Sequence, residues 1–325
     1  MNFRLLNTLK KFLPLIGIII FIYLIYSLDI KEIGNAFLLI NPLFLACSLL
    51  LTIPRIFIRN SAWQLIQKEQ KITIPFFTSL KIFLIGYFYG TITPGYIGQL
   101  MRVPYMKEET EEPYGKLFVN TMIETIIHTL TLYGMMFFGA LLVISTLPSL
   151  FILTVTWVSI LGIILFFFLK KERGEKFFFT LVYYLTPHSI KKYLHQFVDT
   201  FYFDFPQIKR LIVPLLLGLC TWIIIFTQNY LIVFGMGLDI PYFSFLLLFP
   251  VANVAGFIPI SFAGLGTREL TAVFLFSTIF AIPEAQVFVF SLVGFIITDV
   301  ITGFIGFICA STTNLRKATF FGNHS

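Results

Sequence analysis

Long apolar runs, separated by short polar segments, cover most of this chain. They fall at about residues 12–28, 42–58, 76–93, 117–145, 148–169, 211–238, 243–262, 268–282 and 285–312. A transmembrane helix needs roughly 17–25 predominantly apolar residues, and most of these runs reach that length. The pattern therefore predicts an all-α, polytopic integral membrane protein with about six to eight transmembrane helices.

Two of the runs are interrupted by similar polar breaks. The first break reads Pro94-Gly95-Tyr96-Ile97-Gly98-Gln99-Leu100-Met101-Arg102, and the second reads Pro259-Ile260-Ser261-Phe262-Ala263-Gly264-Leu265-Gly266-Thr267-Arg268-Glu269. Breaking a membrane helix frees backbone groups, and a cation beside the break also needs partners. Transporters use broken helices to hold a polar substrate near the bilayer midplane. The two breaks therefore predict a transporter of a lipid or another solute.

Composition agrees with a membrane protein of one domain. Hydrophobic residues make up 58% of the chain, charged residues make up 12%, and the mean hydropathy is +0.90. No polar stretch is long enough for a separate soluble domain, so we expect one membrane transport domain over residues 1–325. Cys47, Cys220 and Cys309 lie singly in apolar runs, which argues against a disulfide framework or a thiolate metal site. We expect no metal, no cofactor and no nucleic acid partner.

The distribution of Lys and Arg predicts the orientation of the chain. Basic residues cluster after the second run, at Arg59, Lys68 and Lys71, again in residues 170–210, and once more near the C-terminus. Short cytoplasmic loops are enriched in such residues. We therefore expect these segments and both termini on the cytoplasmic side of the cell (plasma) membrane. The first run follows basic residues but has no small-residue cleavage site, so we interpret it as a retained helix.

The orientation constrains the first break. Three runs (76–93, 117–145 and 148–169) separate the first two cytoplasmic clusters, and an odd number of crossings would place those clusters on opposite sides. The best candidate for a run that does not cross is 76–93, because its return limb, from Gly98 to Met106, covers only about 13 Å of a roughly 30 Å core. The sequence thus predicts a re-entrant hairpin that enters from the cytoplasm.

The second half allows two arrangements. Four full crossings, or one hairpin and two crossings, both bring the C-terminus to the cytoplasmic side. The second break favours a hairpin over about 243–282 that enters from outside. Residues 42–169 and 211–312 would then form an inverted repeat with opposed re-entrant hairpins. Residues 170–210 are expected either to lie on the cytoplasmic lipid surface as interfacial helices or to form a solvated basic loop.

Arg102 and Arg268 are the first candidates for substrate contact. A guanidinium presents a planar fork of donors that suits a phosphate or a carboxylate. The alternative is a structural ion pair, for which Glu269 is the obvious partner of Arg268. Polar and small residues beside the two breaks complete the candidate substrate site: Thr93, Pro94, Gly95, Gly98 and Gln99 at the first, and Pro259, Gly264, Gly266 and Glu269 at the second.

Other ionisable residues inside the runs are candidates by their position. Glu124 and His128 are four residues apart and share one helix face, and Asp299 lies deep in the last run. They are expected to form a proton relay, or else a static charge network that holds the arginines. Arg55 and Arg59 come at the end of the second run. We expect them to reach lipid headgroups there and set orientation, or to be the first contact of an anionic lipid.

These motifs, in this order, resemble the flippase-like membrane region of lysylphosphatidylglycerol synthases and its stand-alone relatives. The resemblance rests on residues 93–102, on Glu124 and on residues 259–269, and it covers nearly the whole chain. It implies movement of a lipid with a charged headgroup between leaflets. In the family pattern an acidic residue follows the motif glycine that Gly98 matches, and an Arg and later an Asp follow the Glu that Glu124 matches. Here Gln99, Thr125 and His128 stand at those positions.

The sequence therefore predicts a flippase or transporter for an anionic lipid, either a phospholipid such as phosphatidylglycerol or a polyprenyl phosphate. No room remains for a soluble aminoacyl-transferase domain, and soluble-enzyme motifs are missing, so we do not expect an enzyme. One alternative is an intramembrane lipid-modifying enzyme with Glu124 and His128 as acid and base. Another is a lipid-binding scaffold. The expected partner is a membrane lipid, with a second copy of the chain or a lipid-synthesis enzyme as further alternatives.

Overall fold

Helices build this protein, as the hydrophobic pattern predicts. The computed structural model describes residues 15–168 and 205–313, with the single residues 176 and 203, and this part of the chain contains no strand. Its helices are α1 (Leu15–Ser27), α2 (Ile30–Leu38), α3 (Pro42–Leu50), α4 (Thr52–Glu69), α5 (Phe76–Thr91), α6 (Arg102–Glu109), α7 (Tyr114–Leu142), α8 (Pro148–Phe168), α9 (Ile212–Gly235), α10 (Tyr242–Gly256), α11 (Thr267–Phe280), α12 (Glu284–Phe295) and α13 (Ile301–Ser311).

Several helices are long and apolar enough to span a membrane. In the described residues, four helical stretches are long and apolar enough to cross a bilayer: Pro42–Glu69, Tyr114–Leu142, Ile208–Gly235 and Glu284–Ser311. Shorter apolar helices lie at Leu15–Ser27, Pro148–Ile163 and Tyr242–Gly256. Together they confirm the prediction of an all-α, polytopic membrane protein.

Each half of the chain contains a helical hairpin between two of the long stretches. The first hairpin (residues 76–109) runs from α5 through a 3₁₀ turn, Ile97–Met101, into α6, and the second hairpin (residues 242–280) joins α10 to α11. The halves interlock, since α5 packs against α13 and α10 packs against α7, while α4 packs against α9. Each hairpin thus lies against the last long helix of the other half. The inverted repeat with halves 42–169 and 211–312 remains a prediction.

The helical stretch Pro42–Glu69 is longer than the hydrophobic run 42–58 that predicts it. The pattern places its end near residue 58, with Arg55 and Arg59 at that end, but the helix continues to Glu69. That expectation is wrong because polar side chains, Asn60 and Gln67 among them, face the protein interior and lower the hydropathy before the helix ends. Arg55 and Arg59 therefore lie near the middle of the Pro42–Glu69 stretch, and both are buried.

The structure also contains one helix that the sequence does not predict, and it leaves one predicted segment largely undescribed. The hydrophobic pattern does not predict α2, a short helix that turns only Ile33 and Ala36 fully inward and is otherwise polar or exposed. Apart from residues 205–210 and the two single residues, the segment 170–210, predicted as interfacial helices or a basic loop, lies outside the described residues.

Aromatic packing builds the core of the second hairpin. Phe245, Phe249, Phe276 and Phe290 are fully buried, and their ring centroids lie 4.9 to 6.1 Å apart. Rings at these separations attract each other through offset and edge-to-face contacts, in addition to the apolar area that they bury. The second hairpin is therefore held as a packed body against its neighbours, which fixes the place of its tip.

Candidate functional site

The two breaks predicted from the sequence meet in the middle of the structure. Pro94, in the first tip (residues 92–98), forms an antiparallel backbone bridge with Phe262, in the second tip (residues 257–266). The Tyr96 hydroxyl donates a hydrogen bond to the Ala263 carbonyl at 3.2 Å, and the Tyr96 ring lies 5.2 Å from that of Phe257. The two hairpins therefore face each other tip to tip.

The first tip is closed by its own side chains. Thr93 Oγ1 donates to the Tyr89 carbonyl at 2.8 Å and accepts from the Gly98 amide at 2.7 Å. A Cβ on Gly98 would lie only 2.0 Å from the Tyr89 oxygen, so a larger residue does not fit there. Gly95 adopts a positive φ of 61°, which is unfavourable for a residue with a Cβ, and it lies beside Pro259 of the second tip.

The second tip depends on glycine in another way. Gly264 and Gly266 have φ values of 84° and 87°, a region that is unfavourable for residues with a Cβ. Gly264 also packs directly on Gly256, and a Cβ on Gly266 would lie 2.1 Å from the Gly17 carbonyl of α1. Close backbone contact with α10 and α1 thus holds this tip in place.

Arg102, at the start of α6, is fully buried and paired. Its Nη1 lies 2.7 Å from Glu124 Oε2 on α7, and its Nη2 donates to Gln99 Oε1 at 2.6 Å. The guanidinium also lies 5.1 Å from the ring centroid of Trp63 and 4.9 Å from that of Phe83. Such pairing with a carboxylate and two aromatic faces compensates for the removal of the cation from water.

Arg268, near the start of α11, is neutralised by its neighbour in the sequence. Its Nη2 donates to Glu269 Oε1 at 2.7 Å, and its Nη1 lies 3.7 Å from Asp299 Oδ2. The other Glu269 oxygen accepts from the Gly266 amide at 2.6 Å and so caps the N-terminus of α11. The ion pair with Glu269 that the sequence offers as an alternative role for Arg268 is therefore present.

The buried ionisable residues near the two tips form a group that we call the charge cluster: Arg55, Arg59, Arg102, Arg268, Glu124, Glu269 and Asp299. Glu124 and Asp299 each contribute a carboxylate to it from a long helical stretch. Glu124 binds two cations, because Arg59 Nε approaches its Oε1 at 3.2 Å. Asp299 lies in a π-helical turn, Ile296–Val300, between α12 and α13. Such turns occur often at functional sites.

A cavity of about 140 Å³ lies beside the meeting point of the tips. Six residues that the sequence singles out line it: Arg55, Arg59, Gly95, Gln99, His128 and Asp299. The four buried ion-pair residues are not among the residues that line the cavity: Arg102 pairs with Glu124, and Arg268 pairs with Glu269. The remaining candidates shape the two tips.

Arg55 is the cation of this cavity that lacks a carboxylate partner. Its Nη2 donates to the Thr298 carbonyl at 2.9 Å and to Thr302 Oγ1 at 2.5 Å, and its buried Nε makes no hydrogen bond. Across residues 15–168 and 205–313, no carboxylate lies within ion-pair distance of it. The charge cluster, as described, contains four guanidinium groups and three carboxylates, so positive charge beside the cavity is not balanced.

His128 faces the cavity from α7. Its ring stacks on Trp222, with centroids 4.4 Å apart and planes 11° from parallel. Its Nδ1 is buried and has no hydrogen-bond partner in the described residues. Within that part of the chain no hydrogen bond joins His128 to Glu124 or Asp299, so a proton relay through the three residues remains a prediction.

Sequence reasoning missed several cavity residues. Tyr87, Trp222 and Thr298 line the cavity, and none was singled out as a candidate. Tyr96 lies inside the first quoted motif, so its hydroxyl was the one signal that the sequence offered. No group of three His, Cys, Asp or Glu residues in the described chain is placed to hold a metal ion.

Comparison with models of protein families identifies the family of this chain. The family model described as the lysylphosphatidylglycerol synthase TM region matches residues 14–306. The match includes both hairpins and every residue that lines the cavity. A comparison with curated proteins finds no match.

Proposed function

Because this chain belongs to the lysylphosphatidylglycerol synthase TM region family, we propose that it moves an anionic lipid between the two leaflets of the plasma membrane. The headgroup phosphate binds in the cavity between the two tips, where Arg55 and Arg59 contact it. The observation that carries this proposal is the buried Arg55 guanidinium, which lines the cavity without a carboxylate partner in the described structure.

A buried cation without an anion is unfavourable, because the loss of hydration is not compensated by a partner charge. Arg55 is only 3% exposed, and part of its guanidinium is left without a hydrogen bond. A phosphate would supply both the missing charge and acceptors for the unused donors. Arg59 adds a second cation, since it touches Glu124 through Nε alone and its two terminal nitrogens make no hydrogen bond in the described structure.

Arg102 and Arg268 have a different role in this proposal. Each holds a tip in place through a buried carboxylate, so that the cavity between the tips keeps its shape. Direct contact of either guanidinium with the phosphate requires its carboxylate to be released. We therefore propose that Arg102 contacts the headgroup after the tips separate, when the substrate passes from Arg55 and Arg59. Arg268 keeps its structural role, because Glu269 lies on the same helix and moves with it.

Movement of the lipid requires the tips to separate in turn. The backbone bridge from Pro94 to Phe262 and the hydrogen bond from Tyr96 to Ala263 close the path between the hairpins. We propose that the two halves form an inverted repeat, with the first hairpin entering from the cytoplasm and the second from outside. Alternate opening of these contacts on each side would expose the cavity to one leaflet at a time, as in other transporters built from repeats.

The test is a translocation assay in proteoliposomes. The purified protein is reconstituted with an acyl-labelled anionic phospholipid, and the accessibility of the headgroup is followed on both sides. We expect Arg55→Gln to lower the rate at least tenfold, and Arg55→Lys to lower it less, because lysine keeps the charge but not the fork.

Arg210→Gln is the matched control. Arg210 lies outside the cavity, pairs with Glu69 at 2.7 Å, and has a side chain that is 57% exposed. This variant should translocate within twofold of the wild type. A wild-type rate in Arg55→Gln would contradict the proposal. A change in lipid mass during the assay would support the enzyme alternative instead.

A further inference from the structure

We propose that the protein is an exchanger: after it releases the lipid, its cavity binds a small inorganic anion, such as phosphate or chloride, and carries it back across the membrane. The inference rests on the proposed function and concerns the return step of the same cavity. The charge that the closed tips bury beside Arg55 is the reason for it.

The charge cluster lacks one negative charge. It contains four guanidinium groups and three carboxylates, and each carboxylate already has partners in the described structure. Glu124 and Glu269 bind other arginines, and Asp299 accepts hydrogen bonds from two tyrosine hydroxyls. Within residues 15–168 and 205–313, none of the three carboxylates lies within ion-pair distance of Arg55. One monovalent anion would therefore complete the charge balance.

The headgroup phosphate supplies that charge while the lipid is bound, but the return step has no lipid. To return, the tips must close again around the cavity, and this arrangement leaves Arg55 only 3% exposed. A buried cation without an anion is unfavourable, because no partner replaces its lost hydration. The closed arrangement is therefore populated only when an anion occupies the cavity, and a second anion must enter before the next lipid can move.

A small inorganic anion fits the cavity and its donors. The cavity has a volume of about 140 Å³, whereas about 10–15 Å³ is enough for one water molecule. In the described structure, Arg55 Nε and the two terminal nitrogens of Arg59 make no hydrogen bond. Gln99 adds its amide nitrogen, because its Oε1 already accepts from Arg102. These donors bind the oxygens of phosphate or a chloride ion without any contact with acyl chains.

The experiment removes lipid phosphate from the receiving leaflet. The purified protein is reconstituted in vesicles of digalactosyldiacylglycerol, a neutral lipid without a phosphate, and acyl-labelled phosphatidylglycerol is added to the outer leaflet alone. The vesicles contain potassium chloride, potassium phosphate or potassium lactobionate, with lactobionate outside in every case. Lactobionate is a disaccharide acid and is too large for a cavity of about 140 Å³. Accessibility of the headgroup reports the lipid that enters per protein.

The internal anion should decide whether transport continues. With lactobionate inside, we expect entry to stop after about one lipid per protein, because the return step has no anion. With chloride or phosphate inside, entry should continue at a rate at least tenfold higher. Radiolabelled chloride should leave at about one ion per lipid, since one charge is missing from the cluster. Unlabelled phosphatidylglycerol in the inner leaflet should restore exchange of the label in lactobionate, which separates the lipid from the free anion as the source of charge.

Two variants test whether Arg55 sets this requirement. Arg55→Gln removes the unbalanced charge, and Thr302→Asp places a carboxylate at the side chain that accepts from Arg55 Nη2. In both, the ratio of the rates with chloride and with lactobionate should fall from at least tenfold to less than twofold. A merely structural role would lower both rates and leave their ratio unchanged. Thr312→Asp is the matched control, because it adds the same carboxylate at an exposed position just after α13 and should keep the wild-type ratio.

The outcomes separate the two proposals. Sustained entry of lipid into vesicles that contain lactobionate would overturn the exchange and leave the flippase proposal standing. Movement of no lipid under any condition, including exchange with phosphatidylglycerol of the inner leaflet, would overturn the proposed function and the inference with it. An unchanged ratio in both Arg55→Gln and Thr302→Asp would overturn the assignment of the anion requirement to Arg55.

Discussion

The two hairpins look alike in sequence but neutralise their arginines differently. In the first hairpin, Arg102 is held by Glu124, which lies on another helix and also binds Arg59. In the second, Arg268 is held by Glu269, the next residue in the chain. The first tip therefore depends on a tertiary contact, whereas the second carries its own counter-charge.

This difference bears on how each hairpin can move. The Arg268–Glu269 pair travels with α11, and Glu269 caps the same helix through the Gly266 amide, so movement of the second hairpin leaves the pair intact. Movement of the first hairpin relative to α7 separates Arg102 from Glu124 and leaves charges in the interior. We expect the first hairpin to be the more tightly held of the two in the closed arrangement.

The largest effect should come from Glu124→Gln. This change removes the carboxylate shared by Arg59 and Arg102 and leaves two buried cations without a counter-charge. Breaking a buried pair in this way costs about 3–5 kcal/mol, which a denaturation curve in detergent would measure. Glu112→Gln is the control, because Glu112 pairs with Lys116 at a more exposed site and such pairs contribute about 0–1 kcal/mol.

A second change sharpens that result. Adding Arg102→Gln to Glu124→Gln removes one of the two unpaired cations, so the double variant should be more stable than Glu124→Gln alone. If the double variant is no more stable, the charge of Arg102 is not what makes Glu124 necessary, and the contrast between the hairpins would fail.

Glu269→Gln should have a smaller effect, about 1–3 kcal/mol in the same denaturation assay. The glutamine oxygen can still accept from the Gly266 amide, and Asp299 remains 3.7 Å from Arg268. A loss for Glu269→Gln that equals or exceeds the loss for Glu124→Gln would reverse the order expected from the two pairings.

The smallest effect is expected for Tyr96→Phe, which removes the hydroxyl that links the first tip to Ala263 and Asp299. The expected loss is about 1 kcal/mol, because the ring contact with Phe257 remains. Tyr26→Phe is the control, since Tyr26 is 88% exposed. A difference in stability of less than about 0.5 kcal/mol, the lower limit of a net hydrogen-bond contribution, would show that the hydroxyl does not join the tips.

Much of the fold could be predicted from the chain alone. Apolar length predicts the helices, and the Pro and Gly residues of the two breaks predict where α5 and α10 end. Helix α4 was predicted too short because hydropathy assigns polar residues to a loop, whereas Arg55 and Arg59 point into the protein. Hydropathy measures transfer into lipid and does not detect a polar interior.

The candidate site was predicted only in part. Arg102 and Arg268 were chosen because they stand beside the breaks, but the cavity is lined by Arg55 and Arg59, together with residues such as Tyr87 and Trp222 that no motif includes. The positions at which the chain departs from the family pattern, Gln99, Thr125 and His128, all line this cavity. The order of residues does not reveal this, because Gln99 lies next to the first tip and the other two lie on α7, and only the packing of these elements brings them to one cavity.

The order of residues alone established the membrane class, most of the helices and the two breaks, and it offered the Arg268–Glu269 pair as one of two roles for Arg268. Each of these depends on apolar length or on residues close together in the chain. The tertiary structure adds that the two tips touch, that Glu124 pairs with two arginines and that Arg55 lines the cavity without a carboxylate partner in the described residues. These features join residues that are far apart in the chain, and charge compensation in a low-dielectric interior depends on distances that the order of residues does not specify.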